Sequence, residues 1–266
     1  MEEHKRNVLI KLSYDGTSFN GWQVQKKNGH LLGGSVQECV EKALRALHKY
    51  DVKTVAAGRT DAGVHAREQA VSFYTNLKSI SEKSWPLAIN SFLPHNVRVI
   101  RAHFMKDSFN ARFNALSRTY RYFMLHSGVL YPYYAPYCLN IARKPSIESL
   151  NSLASILLGE KDFALFANAR DQSISTSRCV MAAHFFIEGQ FLVFEITATS
   201  FLWRMVRSIV GTLLEYERRG WTASQLLTAI ETKDKTKIGA TAPSHPLFLW
   251  HVEYPKDMFI NNKERA

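Results

Sequence analysis

Gly58-Arg59-Thr60-Asp61-Ala62-Gly63-Val64-His65-Ala66 decides how this chain is read, because it joins two runs, residues 52–57 and 69–75, with the apolar and β-branched character of strands. The unit it predicts is strand, turn, strand, with a carboxylate between two glycines. Glycine permits a positive φ or a close approach of the backbone to a ligand, so a substrate can reach Asp61 without meeting Cβ atoms. Arg59 and His65 place positive charge beside it. Taken alone, such a turn is an ordinary surface feature; its company gives it weight.

Outward from the turn, residues 7–14 alternate as a strand that ends at Asp15-Gly16-Thr17. Ser35 is a good N-cap, with Glu38 three residues on to complete a capping box, and Val36, Val40, Ala43, Leu44 and Leu47 follow at helical spacing. A helix is therefore expected over residues 35–49, another near 84–91, and a strand at 97–104. The second half uses the same grammar. Residues 118–125 read as a strand, 146–158 as a helix, and 179–187 with 191–197 as a hairpin through Glu188-Gly189-Gln190. An amphipathic helix over 201–218, a short helix over 222–231 and a last strand at 247–252 complete it. Residues 126–145, rich in Tyr and Pro, read as a packed excursion, and there is no simple residue-level repeat. The predicted fold is α+β: two similar α/β-sandwich halves, residues 1–105 and 106–266, whose mainly antiparallel sheets join around a central basic cleft.

The bulk properties allow this. A chain of 266 residues buries a sizeable core, and 46% hydrophobic with 21% charged residues is the composition of a soluble globule. Lys and Arg number 34 against 23 acids, a net charge of +11 that favours a polyanionic partner. No run approaches the roughly 20 apolar residues of a membrane span. The first seven residues contain acids and no long apolar stretch follows, so no signal peptide is expected. Cys39, Cys138 and Cys179 are far apart and lack C-x-x-C spacing, which suggests neither disulfides nor zinc and points to a reducing cytoplasm.

Arginines at 67, 98, 101, 112, 118, 121, 143, 170, 178, 204 and 207 are interleaved with aromatic residues. Planar guanidinium groups bind phosphate bidentately and stack on bases, so RNA is the favoured partner class. In the strand at 118–125, Arg118, Tyr120 and Tyr122 share one face and Arg121 the other. A tyrosine aimed into a cleft can stack on a base. Arg207 lies in an otherwise apolar helical stripe, where it must snorkel or meet a carboxylate, and Asp61 is the expected partner.

Those pieces together resemble the tRNA pseudouridine synthase A family: Tyr14 to Thr17, Gly21-Trp22-Gln23, Ser35 to Glu38, the Gly58 to Ala66 string, Ala111-Arg112-Phe113, Arg118 to Tyr122, Phe201 to Gly211, and Ala242-Pro243 with Leu247. The resemblance implies the pseudouridine synthase fold and isomerisation of a flipped-out uridine at about positions 38 to 40 of the tRNA anticodon stem-loop. It also implies a cytoplasmic homodimer that uses no cofactor and no metal. By position, Asp61 matches the catalytic aspartate, Tyr120 the tyrosine against the target base and Arg207 the basic partner of the aspartate. Leu247 matches an apolar residue lining the pocket, and Arg59 an arginine that positions the nucleotide; His65 and Arg118 join the expected substrate-binding set. One departure is Pro246, where the family often has Gly before that leucine; proline forbids a positive φ there, which touches the pocket wall rather than the chemistry.

Three other readings compete with this one. Ser13 to Thr17 is similar to the Asp-x-Asp-Gly-Thr stretch of aspartyl-phosphate phosphotransferases, but Ser13 occupies the position of the nucleophile. Asp61 and His65 are spaced as a metal pair, yet a two-glycine turn is not a helix face and no third ligand is evident. A binding module without turnover is the non-enzymatic alternative.

Overall fold

The computed structural model describes residues 5–24, 26–27, 30–31 and 33–260; residues 1–4, part of the stretch that bears on a signal peptide, lie outside them. The chain forms two compact units, one running to Leu116 and resuming at Leu249, the other Ser117–Phe248.

In the first unit the chain order is β1 (Arg6–Tyr14), a short hairpin of β2 (Lys26–Lys27) and β3 (His30–Leu31), α1 (Val36–His48), β4 (Val55–Ala56), β5 (His65–Thr75), α2 (Trp85–Asn90) and β6 (Val97–Met105). β1 lies between β5 and β6, antiparallel to both, and β4 pairs antiparallel with β5. Ser35 caps α1 as expected, its side chain accepting from the Glu38 N–H. The Glu38 carboxylate turns instead to Lys42, 2.7 Å away at i+4. Two further N–H groups of that first turn are satisfied by Gly21 O and Trp22 O, which ties the helix start to the loop before it. The helices cover one sheet face through an aromatic knot in which Trp85 of α2 meets Phe73 of β5 edge-on at 5.5 Å and stacks on His48 of α1 at 5.9 Å. Phe73 and Trp85 are buried, and each such side chain contributes about 3 kcal/mol by leaving water.

The second unit contains β7 (Ser117–Leu125), β8 (Leu139–Asn140), α3 (Ile147–Ser155), β9 (Gly159–Asp162), β10 (Ser177–Glu188), β11 (Phe191–Ala198), α4 (Met205–Arg219) and α5 (Ala223–Thr232), followed by β12 (Leu247–Glu253), whose residues from Leu249 return to the first unit. Its strand order is β7-β11-β10-β9, antiparallel throughout, with β8 parallel to β7. The α+β, mainly antiparallel class expected from the sequence is the class observed.

Differences from the sequence reading lie at element ends and in the short strands β2, β3, β8 and β9, which it did not include. β4 shrinks to Val55–Ala56, while β5 reaches back to His65, because pairing with β1 continues through Tyr14↔Ala66. α4 starts at Met205 rather than at residue 201. Arg204 before it adopts φ 62, and Trp203 is held by the 168–171 segment through its N–H to Asp171 Oδ2 and its carbonyl to the Asn168 N–H. β9 reads Gly-Glu-Lys-Asp and carries no apolar signal at all.

Candidate active site

Asp61 sits at the tip of a turn held from several sides. Trp22 N–H donates to Thr60 O at 3.1 Å, Val64 N–H to Asp61 O at 3.1 Å, and Gly63 N–H to Phe19 O at 3.3 Å. The Tyr14 hydroxyl lies 2.9 Å from Thr60 Oγ1. At the turn's entrance, Gln69 Nε2 donates to Gly58 O at 2.9 Å. The backbone around Asp61 is thus fixed on both sides, while Asp61 itself remains partly exposed and Arg59 is exposed.

Of the two glycines in the turn, one does the work expected of it. Gly63 takes φ 75, the left-handed value its position requires. Gly58 is neither left-handed nor crowded, for a Cβ there meets nothing within 4 Å. The close approach belongs to two glycines upstream: a Cβ on Gly16 lies 2.1 Å from Val64 O, and one on Gly21, at φ 90, lies 2.6 Å from Thr60 O. These residues let two earlier loops lie directly on the backbone of the turn. His65 is wholly buried at the start of β5, with Nδ1 3.0 Å from Gly16 N and 3.2 Å from Asp15 Oδ1. Its ring braces the Asp15-Gly16-Thr17 turn rather than lying at the surface. Among the described residues no group of three His, Cys, Asp or Glu is arranged to hold a metal.

The remaining expected residues belong to the second unit. Along β7, Tyr120 and Arg118 are buried and Arg121 faces the other way, where Nε is 2.6 Å from Glu195 and Nη1 2.9 Å from Glu188. Tyr120 meets Phe201 edge-on at 5.1 Å, and Arg118 Nη1 donates to Thr199 O at 2.6 Å. Arg207, half-buried in the first turn of α4, is doubly tied to Ala242: Nε donates to Ala242 O at 2.8 Å, and the Arg207 carbonyl accepts from Ala242 N–H at 3.1 Å. That junction exists because Gly211, one turn further along the same face, lets α4 come against the chain; a Cβ there would lie 1.8 Å from Ala240 O. Gly239 answers from the opposite side, its own Cβ position 2.4 Å from Gly211 O. The sequence signal for this was a lone glycine inside a helical stripe, which costs about 1 kcal/mol against Ala unless packing requires it.

Leu247 opens β12, buried, with its N–H bonded to Ser244 O, and Pro246 O accepts from Phe123 N–H at 3.0 Å. The proline departure therefore sits in an ordered wall built on β7. Burial is the main force on the Tyr122 hydroxyl beside Arg207; it raises the pKa against the opposing pull of the guanidinium, so the phenol stays neutral. Not every arginine expected to meet RNA is available for it. Arg98 donates to the carbonyls of Leu93, Pro94 and Val97, Arg178 to those of Ser175 and Ser177, and Arg143 pairs with Glu217.

A family model described as tRNA pseudouridine synthase matches residues 11–114 and 153–255, taking in the 58–66 turn and the helical region around Arg207 but not Tyr120. The chain is similar to tRNA pseudouridine synthase A of Treponema denticola, 46% identical over 97% of this chain and 96% of that protein. The corresponding protein of Treponema pallidum (strain Nichols) is 41% identical over 86% and 82% of the two chains, and that of Francisella tularensis subsp. holarctica 36% over 96% of each. Among solved structures, a chain of a Cbf5-Nop10-Gar1 complex covers 78% of this one, and this one 44% of it, at 10% identity and a TM-score of 0.33, too low to bear on the fold. No helix among the described residues is long and apolar enough to cross a membrane.

Proposed function

This chain belongs to the tRNA pseudouridine synthase A family of isomerases, and on that premise we propose that it converts uridine to pseudouridine at positions 38–40 of the tRNA anticodon stem-loop, with Asp61 as its essential carboxylate. The reaction breaks the N1–C1′ bond, turns the uracil, forms C5–C1′ and releases the C5 proton while N1 is reprotonated. Substrate and product are isomers, so the balance calls for no oxidant and no group donor. A carboxylate serves this chemistry through a covalent adduct or through proton transfer. Tyr120 is assigned to hold the detached base by stacking, Leu247 and Arg118 to the pocket around it, and Arg207 to the charge of the carboxylate. Arg59, exposed beside Asp61, is assigned to the RNA backbone; His65, buried behind the turn, is assigned to supporting it.

The observation that carries the reading is the turn itself: a partly exposed carboxylate on a backbone fixed through the Tyr14, Trp22 and Phe19 contacts. The family partner, a tRNA, fits the net charge of +11, and the activity is assigned to the cytoplasm. A homodimer completes the reading, tested by light scattering of the purified chain. Release of tritium from C5-labelled uridine in unmodified tRNA tests the chemistry. Wild type releases it and Asp61→Asn binds the tRNA without release; equal release by both proteins removes Asp61 from the mechanism, and binding with no release by either favours a binding module.

A further inference from the structure

Tyr14 closes β1, and the strand shifts register with both neighbours on the way to it, with β6 between Lys11 and Leu12 and with β5 between Leu12 and Tyr14. Such irregularities re-aim the side chains that follow them. Here the result is a tyrosine directed at the 58–66 turn, 4% exposed, with its hydroxyl 2.9 Å from Thr60 Oγ1 and bonded also to Gln69. Thr60 is itself buried and is the residue before Asp61. Its carbonyl is taken by Trp22 N–H, and the Tyr14 bond holds its side chain as well. Gln69 joins the same set, since its amide also holds Gly58 O at the entrance of the turn. Burial is the dominant influence on Tyr14 and raises its pKa against the bonds to Thr60 and Gln69, which keeps the hydroxyl protonated.

We infer that Tyr14 is a positioning residue for Asp61, setting the carboxylate's place through Thr60 without touching the substrate. The inference rests on the reading of Asp61 as the essential carboxylate. Misplacement of a reacting group by an ångström costs up to about 100-fold in rate, whereas a residue outside the binding surface leaves ground-state binding alone. The test is single-turnover and steady-state tritium release by wild type, Tyr14→Phe, Thr60→Val, Thr60→Ser, the Tyr14→Phe/Thr60→Val pair and Asp61→Asn, with thermal unfolding followed by circular dichroism. Tyr14→Phe and Thr60→Val are each expected to lose roughly 10- to 100-fold in kcat with KM for tRNA within about twofold. The double variant falls no further than either single one, and Thr60→Ser, which keeps the hydroxyl, retains most of the rate. Wild-type kcat in Tyr14→Phe beside an inactive Asp61→Asn overturns the inference, as do losses that multiply in the double variant. Release by Asp61→Asn overturns the underlying reading and this inference with it. If Tyr14→Phe does not fold, Thr60→Val against Thr60→Ser decides alone.

Discussion

Gly211→Ala sets two effects against each other, and the structure says which wins. In a helix whose neighbourhood is open, the substitution stabilises by about 1 kcal/mol, because alanine loses less backbone entropy than glycine. Here the new Cβ falls 1.8 Å from Ala240 O, 3.0 Å from Ala240 C and 3.3 Å from Ala242 N, all backbone atoms with no rotamer to give way. Restoring ordinary contact requires the 240–242 segment to retreat by about 1.5 Å. Overpacking of this kind costs about 1–3 kcal/mol. The retreat also pulls Ala242 O away from Arg207 Nε, now 2.8 Å distant, and a hydrogen bond to a charged group contributes about 1.5–3 kcal/mol. With the helical gain subtracted, the net expectation is a destabilisation of about 1.5–5 kcal/mol, together with a loss of about 10- to 100-fold in turnover as Arg207 loses its anchor. Urea denaturation measures the first and tritium release the second. Gly220→Ala is the matched control: at φ 67 with nothing within 4 Å, it costs about 1 kcal/mol of backbone strain and leaves the rate unchanged. A Gly211→Ala protein that gains stability and keeps wild-type turnover refutes the account of how α4 places Arg207.

Gly21→Ala is expected to abolish tritium release while leaving tRNA binding within about threefold, since at φ 90 a Cβ lands 2.6 Å from Thr60 O and displaces the turn rather than the basic surface; filter binding beside the release assay separates the two. Glu68 gives a pH prediction. Burial acts to raise its pKa, but hydrogen bonds with His251 and Lys11 outweigh that and hold the carboxyl at about 2. A depressed folded pKa contributes stability above the unfolded value of roughly 4.3 and loses it as pH falls toward 2. Denaturation midpoints between pH 6 and pH 2 should therefore fall more steeply for wild type than for Glu68→Gln, and parallel profiles would count against the role given to Glu68.

What the sequence made legible was local. The Ser35 cap, the apolar stripe of α1 and the Glu188-Gly189-Gln190 hairpin each depend on residues a few positions apart, and each formed where expected. The limits of α4 and β5 did not, because they are set by distant partners: Asp171 and Asn168 stop α4 from starting at residue 201, and Tyr14 extends β5 back to Ala66. The site divides in the same way. Asp61, Tyr120 and Arg207 were picked out by residue type and by resemblance to a family, but nothing in the spacing announced that Gly16 and Gly21 are the close-approach glycines of the Asp61 turn, or that Gly239 meets Gly211. A glycine marks a need for space without naming what fills it. His65 shows the converse, a residue expected to face the substrate that the sheet buries, and Glu68, which the sequence did not single out, is buried beside it in β5.

The clamping of the 58–66 turn has a consequence for how a nucleotide reaches Asp61. The amides that hold the turn come from Trp22, Gly63 and Val64, and two of those bonds link it to the segment that also supplies carbonyls to the start of α1. The turn cannot peel away without loosening the helix start and the bulged end of β1, so it opens with the unit rather than ahead of it. Hydrogen exchange at the Trp22 and Val64 amides should accordingly be as slow as at the middle of β5. An element so bound to its core does not fold over a substrate; with Asp61 as the proposed catalytic carboxylate, the movement falls on the RNA, whose uridine must leave its stack to reach a group already in place.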